Sequence, residues 1–449
     1  MSPKRVAGPQ VDPAPLREPL AFEFSGQTAP NRIMKGAMTE RVSTWDPKVL
    51  EVRGVPTKEL IRVYERWGSG GFGVLLTGNI MIEYDQLESP GCAIIPRDSP
   101  FSGERFEAFR AMATAASQHG SLVIGQVSHP GRQVYGSVQQ HPISPSDVQL
   151  NMTWNGMWFE KPRAMEKKDF DAVIGGFAHA AEYLHKAGYH GIQLHGAHGY
   201  LLAQFLAPTT NKRTDQYGGS LLNRARIIFE INDAIRARVP KSFSVSIKLN
   251  SVEFQEGGFS TQDCRDLCAA LEEAGFDFVE LSGGTYEAIG FYHRKESTKK
   301  REAFFLEFAD MIVPQLKKTK VYVTGGFRTT NGMVKALDTV HGVGLGRPVC
   351  DEFDLPRKIL DGEVYGAIES TLDQGDSLIT NMAAGTQIRL VSRGLQPLDL
   401  SAEDHLKVFM DARRKWLDKM AHNQDWSQYG HVVVDEVPAK SPDGEQAHL

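Results

Sequence analysis

Short apolar runs alternate along the chain with amphipathic segments from about residue 31 onward. The runs are rich in β-branched and aliphatic residues, which is typical of buried parallel strands. Many of the segments between them repeat apolar residues at spacings of three and four, which is typical of helices. The pattern predicts strands at 32–37, 73–82, 122–127, 191–195, 243–249, 276–281, 321–325 and 342–345. It predicts helices at 57–68, 103–119, 168–187, 221–239, 261–274, 301–316 and 330–337. A strand-then-helix unit repeated in this way predicts an α/β protein with a closed (β/α)₈ TIM barrel.

The alternative architecture is an open, doubly wound sheet. That fold would carry a dinucleotide fingerprint just after an early strand. Residues 68–73 do fit the pattern G-x-G-x-x-G. However, they end a predicted helix and lead into a strand, whereas pyrophosphate binding needs the opposite order. We therefore interpret these glycines as a helix stop and a tight turn, and the barrel is favoured.

Two regions exceed a minimal barrel. The insertion 130–162, before the fourth strand, is rich in aromatic and turn residues and is predicted to cap the barrel or flank its site. The region 363–435 includes a predicted helix at 402–420, and we expect it to pack on the outside of the barrel or to form a homodimer contact. The barrel itself should span 19–362, with flexible ends at 1–18 and 436–449.

Composition excludes several classes of protein. The chain has 449 residues, of which 41% are hydrophobic and 23% charged, with a net charge of -5, as in ordinary globular proteins. Scattered basic residues argue against a nucleic-acid partner. The four cysteines form no cluster suited to a metal or a disulfide framework. We expect no metal and a small-molecule partner.

Targeting signals are weak. The chain has no apolar stretch long enough to span a membrane, and its start is proline-rich rather than apolar. We expect a cytoplasmic protein without a membrane partner. The last three residues, Ala-His-Leu at 447–449, distantly resemble a peroxisomal address, so a peroxisomal location is the alternative.

Catalytic groups of a TIM barrel lie at the carboxyl ends of its strands. The fourth strand ends in His195, and His198 and Tyr200 follow within five residues. Two imidazoles can donate N–H groups to a carbonyl oxygen, and a phenol can deliver a proton. A lone histidine would more often be a packed residue. Three polar rings at the catalytic rim favour a functional role.

The other strand ends suggest a bound cofactor. Thr39, Gly78, Gln126 and Lys248 follow or end strands one, two, three and five, and they suit a flat heterocycle with donors and acceptors along one edge. Each also has a structural interpretation: Lys248 could pair with a carboxylate in the barrel, and Gln126 could cap a loop.

Strands seven and eight end in glycines and an arginine, which is the usual phosphate cradle of this barrel. The residues concerned are Gly325, Gly326, Gly346 and Arg347. The alternative is that these glycines only turn the chain. A flat-edge site together with a phosphate site points to flavin mononucleotide, FMN.

Four motifs occur in order along the chain. They are N-R-I at 31–33, Q-x-x-H-P-G-R at 126–132, G-x-x-x-H-G-A-H-G-Y-L-L at 191–202 and N-x-R-x-D-x-Y-G-G-S at 211–220. As a set, over roughly 18–360, they resemble the old yellow enzyme family of NAD(P)H:flavin oxidoreductases.

The resemblance implies a ping-pong ene-reductase. NADH or NADPH would reduce FMN, and hydride would pass from flavin N5 to the β-carbon of an activated alkene. His195 and His198 would bind the oxygen of its carbonyl or nitro group, and Tyr200 would protonate the α-carbon. Two alternatives stay open: a flavin-dependent double-bond isomerase, and a non-catalytic FMN-binding protein.

The resemblance also assigns the cofactor contacts. Thr39 would touch the flavin C4 carbonyl, Gln126 the pyrimidine edge, and Lys248 the N1 and C2 carbonyl region, while the glycine and arginine cradle would hold the phosphate. Many relatives carry arginine where Lys248 stands, and lysine lacks the planar fork. Ser128 stands where several relatives have an aromatic residue, which suggests a roomier pocket.

Overall fold

Eight parallel strands form a closed barrel in the computed structural model, which describes residues 2–153, 157–253, 255–284, 306, 308–423 and 426–438. Each strand pairs with the next along the chain, and the first pairs with both the second and the eighth, which closes the sheet. The predicted (β/α)₈ fold is confirmed. The strands are β1 (Ile33–Lys35), β2 (Val74–Met81), β3 (Leu122–Ser128), β4 (Gly191–Gly196), β5 (Ser244–Val252), β6 (Phe278–Gly283), β7 (Lys320–Thr324) and β8 (Gly342–Leu345).

Helices surround the barrel and continue into the carboxyl-terminal region. The long ones are α1 (Lys58–Gly68), α2 (Glu104–Ser117), α3 (Lys167–Lys186), α4 (Leu221–Arg236), α5 (Thr261–Glu273), α6 (Thr330–Ala336), α7 (Ser377–Ser392) and α8 (Glu403–Ala421). Shorter helical turns are Ala14–Arg17, Leu50–Val52, Gly131–Gln133, Leu201–Leu206, Val313–Gln315, Pro348–Asp351 and Leu355–Leu360. Of the predicted helix 301–316, residues 306 and 308–312 are helical, and 301–305 and 307 lie outside the described residues. None of the described helices is both long and apolar enough to cross a membrane.

Alternation along each strand builds two cores. In β2, Val74 and Leu76 belong to a small cluster inside the barrel, whereas Leu75 belongs to the large cluster between strands and helices. The hairpin of Leu20–Ala21 and Thr28–Ala29 joins the inner cluster at the amino end of the strands. Towards the carboxyl ends the interior becomes polar, and this is where the site lies.

The G-x-G-x-x-G segment is a turn, as predicted. It ends α1 at Gly68 and enters β2 at Val74. A Cβ atom on Gly70 would lie 2.2 Å from the Phe353 carbonyl oxygen, and one on Gly73 would lie 2.0 Å from that of Asn31. Close packing therefore explains these glycines.

The amino-terminal segment lies against the barrel, which differs from the flexible end predicted at 1–18. Arg5 forms a bidentate ion pair with Glu352, with both N–O distances 2.7 Å, and a bridge with Ile368. Leu16 is fully buried. This bidentate pair and the buried leucine hold a segment whose composition alone suggests mobility.

The insertion and the carboxyl-terminal extension meet at the rim. Within the insertion, Tyr135 stacks on Trp426 of the extension with ring centroids 5.7 Å apart. Helix α7 packs against α1 and against Pro348–Asp351. The extension therefore also covers the catalytic rim, beyond the outer packing predicted for it. Of the tail 436–449, residues 439–449 lie outside the described residues, and so does Trp154 of the insertion. The domain boundaries and a homodimer stay predictions.

Candidate active site

A cavity of about 400 Å³ opens at the carboxyl ends of the strands. Every predicted site residue lines it, namely Thr39, Gly78, Gln126, His195, His198, Tyr200, Lys248, Gly325, Gly326, Gly346 and Arg347. The extension adds Ser377, Asn381, Met382, Trp416 and His431 to its wall. The cavity therefore joins barrel and extension.

The two predicted histidines lie side by side, with their ring planes at 86° to each other. His195 is the penultimate residue of strand β4, and His198 adopts a left-handed conformation with φ of 57° in the turn that follows. The Asn250 amide oxygen accepts a hydrogen bond from the His198 backbone N–H at 3.2 Å, which holds that turn. His195 Nε2 and His198 Nδ1 lie 3.4 Å apart. At this separation no atom fits between the two nitrogens, so a substrate oxygen would approach them from the cavity that both residues line.

A directed chain of hydrogen bonds fixes the protons of this pair. Asn79 Nδ2 donates to the Glu88 carboxylate, so Asn79 Oδ1 faces His195 Nδ1, which donates to it at 2.8 Å. His195 Nε2 is then an acceptor for His198 Nδ1–H, and His198 Nε2 accepts from the Ser282 hydroxyl at 3.0 Å. In this arrangement His198 is the ready donor. His195 becomes a second donor once it gains a proton or the Asn79 amide reverses.

Both imidazoles are held neutral. Burial, followed by the charges of His198 and Lys248, lowers the pKa of His195 well below its usual value. Burial and then Lys248 lower the pKa of His198 to about 3. Both rings are therefore neutral at physiological pH, and His198 polarises an oxygen as a neutral donor.

Tyr200 lies beside the histidines. Its ring centroid is 4.4 Å from that of His195, and 4% of the residue is exposed. It directly precedes the short helix Leu201–Leu206, which anchors the loop after β4. A buried phenol at this position can deliver a proton to a substrate held by the imidazoles.

A polar network forms the floor of the cavity. Lys248 Nζ lies 2.9 Å from Glu280 Oε1, and both residues are buried. Gln193 Nε2 donates to Glu280 Oε2 at 3.0 Å, and Gln126 Nε2 donates to Gln193 Oε1 at 2.6 Å. The parallel register causes these contacts, because Lys248 pairs with Glu280 and Gln126 with Gln193 in adjacent strands. The sequence analysis missed Glu280 and Gln193, although it allowed for a barrel carboxylate next to Lys248.

Thr39 and Gly78 are held by carboxylates. The Gly78 N–H donates to Glu40 Oε1 at 2.9 Å, and a Cβ atom there would lie 2.5 Å from the Met38 carbonyl oxygen, so only glycine fits. The Thr39 hydroxyl donates to Glu88 at 2.8 Å. His431 of the extension donates from Nε2 to the Thr39 carbonyl oxygen at 2.8 Å.

The opposite end of the cavity suits a phosphate. Gly325 and Gly326 have φ of 143° and 85°, and Arg347 contacts Thr380 of α7 through its guanidinium. Arg328, which was not among the predicted site residues, also lines the cavity.

Two hydroxyl oxygens at this end, Thr324 Oγ1 and Ser377 Oγ, are buried without a hydrogen-bond partner in the described part of the chain. A Cβ atom on Gly344 would lie 1.9 Å from Thr324 Oγ1. Orphaned hydroxyls, open glycine backbone and arginines fit a phosphate group, and the polar floor fits the edge of a flavin. The residues present therefore fit FMN. No local sequence signal places Ser377 here, because it lies 32 residues beyond the end of β8 at Leu345.

Comparison with known proteins identifies the family. The model of the NADH:flavin oxidoreductase / NADH oxidase family matches residues 15–364. The chain belongs to this family. The old yellow enzyme resemblance is therefore confirmed, and the family member is an oxidoreductase with FMN as cofactor and a reduced nicotinamide as hydride donor.

Two curated relatives match most of the chain. The NADH-dependent flavin oxidoreductase nadA of Aspergillus parasiticus is 47% identical over 417 residues, which cover 92% of this chain and 94% of the relative. The NADH-dependent flavin oxidoreductase iccE of Talaromyces variabilis is 34% identical over 359 residues, covering 75% of this chain and 84% of the relative.

Solved structures support the fold. The old yellow enzyme homologue from Zymomonas mobilis aligns with a TM-score of 0.64 at 23% identity, covering 82% of this chain and 96% of that one. Morphinone reductase aligns with a TM-score of 0.64 at 21% identity, covering 80% and 95%. The family barrel is thus common to all three chains.

Proposed function

We propose that this family member reduces the C=C bond of α,β-unsaturated carbonyl or nitro compounds, with NADH or NADPH as donor in a ping-pong cycle. The observation that carries the proposal is the adjacent pair of neutral imidazoles, His195 and His198, with Tyr200 beside them. NADH is the expected donor, because the relatives nadA and iccE are named NADH-dependent.

The imidazole pair polarises the substrate. A carbonyl or nitro oxygen beside the pair accepts the His198 Nδ1–H in place of His195 Nε2, and Ser282 at Nε2 supports the position of this ring. Withdrawal of electron density through this oxygen makes the β-carbon electrophilic. His195 adds a second neutral donor in its other tautomer, in which the proton moves from Nδ1 to Nε2 and Nδ1 accepts from the reversed Asn79 amide.

Tyr200 supplies the proton at the α-carbon. It is buried, so the proton comes from a fixed phenol rather than from free solvent. General acid catalysis of this kind contributes on the order of 10²–10⁴-fold. The product is a saturated compound that no longer carries a conjugated alkene.

Separate groups of residues hold the two ends of FMN, its heterocycle and its phosphate. Thr39, Gln126 and Lys248 are placed to meet the heterocycle, and the cradle around Gly326 meets the phosphate. Ser377 and Arg328 join that cradle as proposed phosphate contacts. Bound FMN would supply the redox chemistry, namely uptake of hydride from the nicotinamide and its delivery to the alkene.

Anaerobic stopped-flow absorbance tests the function. The yellow holoprotein is mixed with NADH or NADPH and then with 2-cyclohexenone. We expect bleaching by the donor, followed by recovery of the colour that depends on the enone. FMN binding without bleaching would favour a binding protein. Double-bond migration without net reduction would favour the isomerase.

A further inference from the structure

The polar network at the floor of the cavity contains a buried carboxylate, Glu280, that contacts neither the two histidines nor the phosphate cradle. Glu280 and Gln193 are fully buried, and Lys248 is 5% exposed. We propose that Glu280 is a positioning residue that orients the Gln126 amide and offsets the charge of Lys248, and thereby sets the reduction potential of bound FMN. This inference rests on the proposed cofactor site.

The first role follows from hydrogen-bond direction. An ionised carboxylate only accepts, so Gln193 must turn its Nε2 towards Glu280, as the 3.0 Å contact shows. Gln193 Oε1 is then left to accept from Gln126 Nε2 at 2.6 Å. Gln126, which lines the cavity, must therefore present its Oε1 as an acceptor.

An acceptor at this place selects one atom of the cofactor. The pyrimidine edge of a flavin carries a single N–H group between two carbonyl groups. An amide oxygen complements the N–H, whereas an amide nitrogen would complement a carbonyl. Glu280 thus determines, through two amides, which part of the flavin edge Gln126 recognises.

The second role follows from charge. Lys248 and Glu280 lie 2.9 Å apart in a buried setting, so together they carry no net charge. Reduction of the cofactor adds negative charge beside Lys248. If Glu280 were neutral, the positive charge of Lys248 would no longer be offset and would stabilise the reduced form of the cofactor more strongly. The native pair therefore keeps the potential lower than Lys248 alone would.

The midpoint potential of the holoprotein tests the proposal. Glu280→Gln preserves side-chain size and removes the charge. We expect the equilibrium between oxidised and reduced FMN to shift at least tenfold towards the reduced form, an increase of about 30 mV for two electrons. An unchanged potential in a variant that binds FMN would overturn the proposal. Glu182→Gln, in an ion pair on the outer helix α3, is the matched control and should leave the potential unchanged.

A second pair of variants separates the two roles. Lys248→Met should move the potential in the direction opposite to Glu280→Gln, because it removes the positive charge and leaves the carboxylate. A shift in the same direction for both variants would contradict the charge mechanism. Gln193→Met keeps the ion pair and removes the amide link, so it should weaken binding of oxidised FMN severalfold while the potential stays near that of the wild type. Unchanged FMN affinity would reject the orienting role.

The readouts distinguish this inference from the proposed function. Potential and FMN affinity are measured without an alkene. A protein that turns over 2-cyclohexenone but whose potential ignores Glu280 would disprove only the positioning role. A protein that binds no FMN would disprove the function itself.

Discussion

A histidine far from the cavity makes the fold sensitive to acid. His341 precedes strand β8, and its ring Nδ1 accepts a hydrogen bond from the Val321 backbone N–H at 3.1 Å. The backbone N–H of His341 donates to the Val321 carbonyl oxygen at 2.9 Å. Protonation of Nδ1 would break the first bond. Burial, followed by the charges of Lys320 and Arg32, lowers the pKa of His341 to about 4.

The lowered pKa fixes the sign and size of the effect. Between about pH 6.5 and the folded pKa, the unfolded chain binds a proton that the folded chain does not, so stability is full above pH 6.5 and falls as the pH falls. One pH unit corresponds to about 1.4 kcal/mol, so at pH 5 the loss is at most about 2 kcal/mol. Partial solvent exposure of the ring reduces this value towards about 1 kcal/mol.

His341→Asn isolates the titration. The asparagine oxygen can replace Nδ1 as acceptor, so the variant should have nearly the wild-type free energy of unfolding at pH 7.5. At pH 5 it should be about 1–2 kcal/mol more stable than the wild type. Urea unfolding at both values with saturating FMN measures this difference. The exposed His119 provides the control variant His119→Asn, which should show no such change. An equal difference between His341→Asn and wild type at both pH values would refute the reasoning.

Three further variants test the site and the core. Tyr200→Phe should slow reoxidation by 2-cyclohexenone on the order of 10²-fold or more and leave reduction by NADH nearly unchanged in stopped-flow experiments; equal losses in both steps would contradict the proton-donor role. Ser377→Ala should raise the FMN dissociation constant about tenfold in fluorescence titrations, and an unchanged constant would remove its hydroxyl from the phosphate site. Lys35 is buried with Nζ 4.0 Å from the centroid of the Trp67 ring, and burial lowers its pKa to about 8. The free energy of unfolding of the wild type should therefore increase as the pH rises from 8 to about 10.5, whereas that of Lys35→Met should not. Parallel gains in both proteins, measured by chemical unfolding, would be evidence against a buried charge.

The barrel could be predicted from periodicity because each strand is a short apolar run enclosed by helices. All eight predicted strands occur, with ends within three residues of those observed. The longest mismatch is in β5, which continues to Val252. There the chain remains paired with β6 through an irregular register, and no sequence pattern marks such an extension.

Site residues at strand ends could be predicted because parallel strands bring their carboxyl ends to one rim. Contacts across the interior could not. Glu280 sits in the middle of β6, where an inward residue and an outward residue look alike in one sequence. Its meeting with Lys248 depends on the register of two strands. Ser377 and His431 reach the cavity through tertiary packing of the extension, which local patterns do not encode.

Deuterium tracing tests the central claim most directly. Reduction of 2-cyclohexenone with deuterated NADH in ordinary water should place deuterium at the β-carbon, and reduction with NADH in deuterated water should place it at the α-carbon. Tyr200→Phe should slow delivery at the α-carbon most. Deuterium from NADH at the carbonyl carbon, or a product with no deuterium from NADH, would contradict the account.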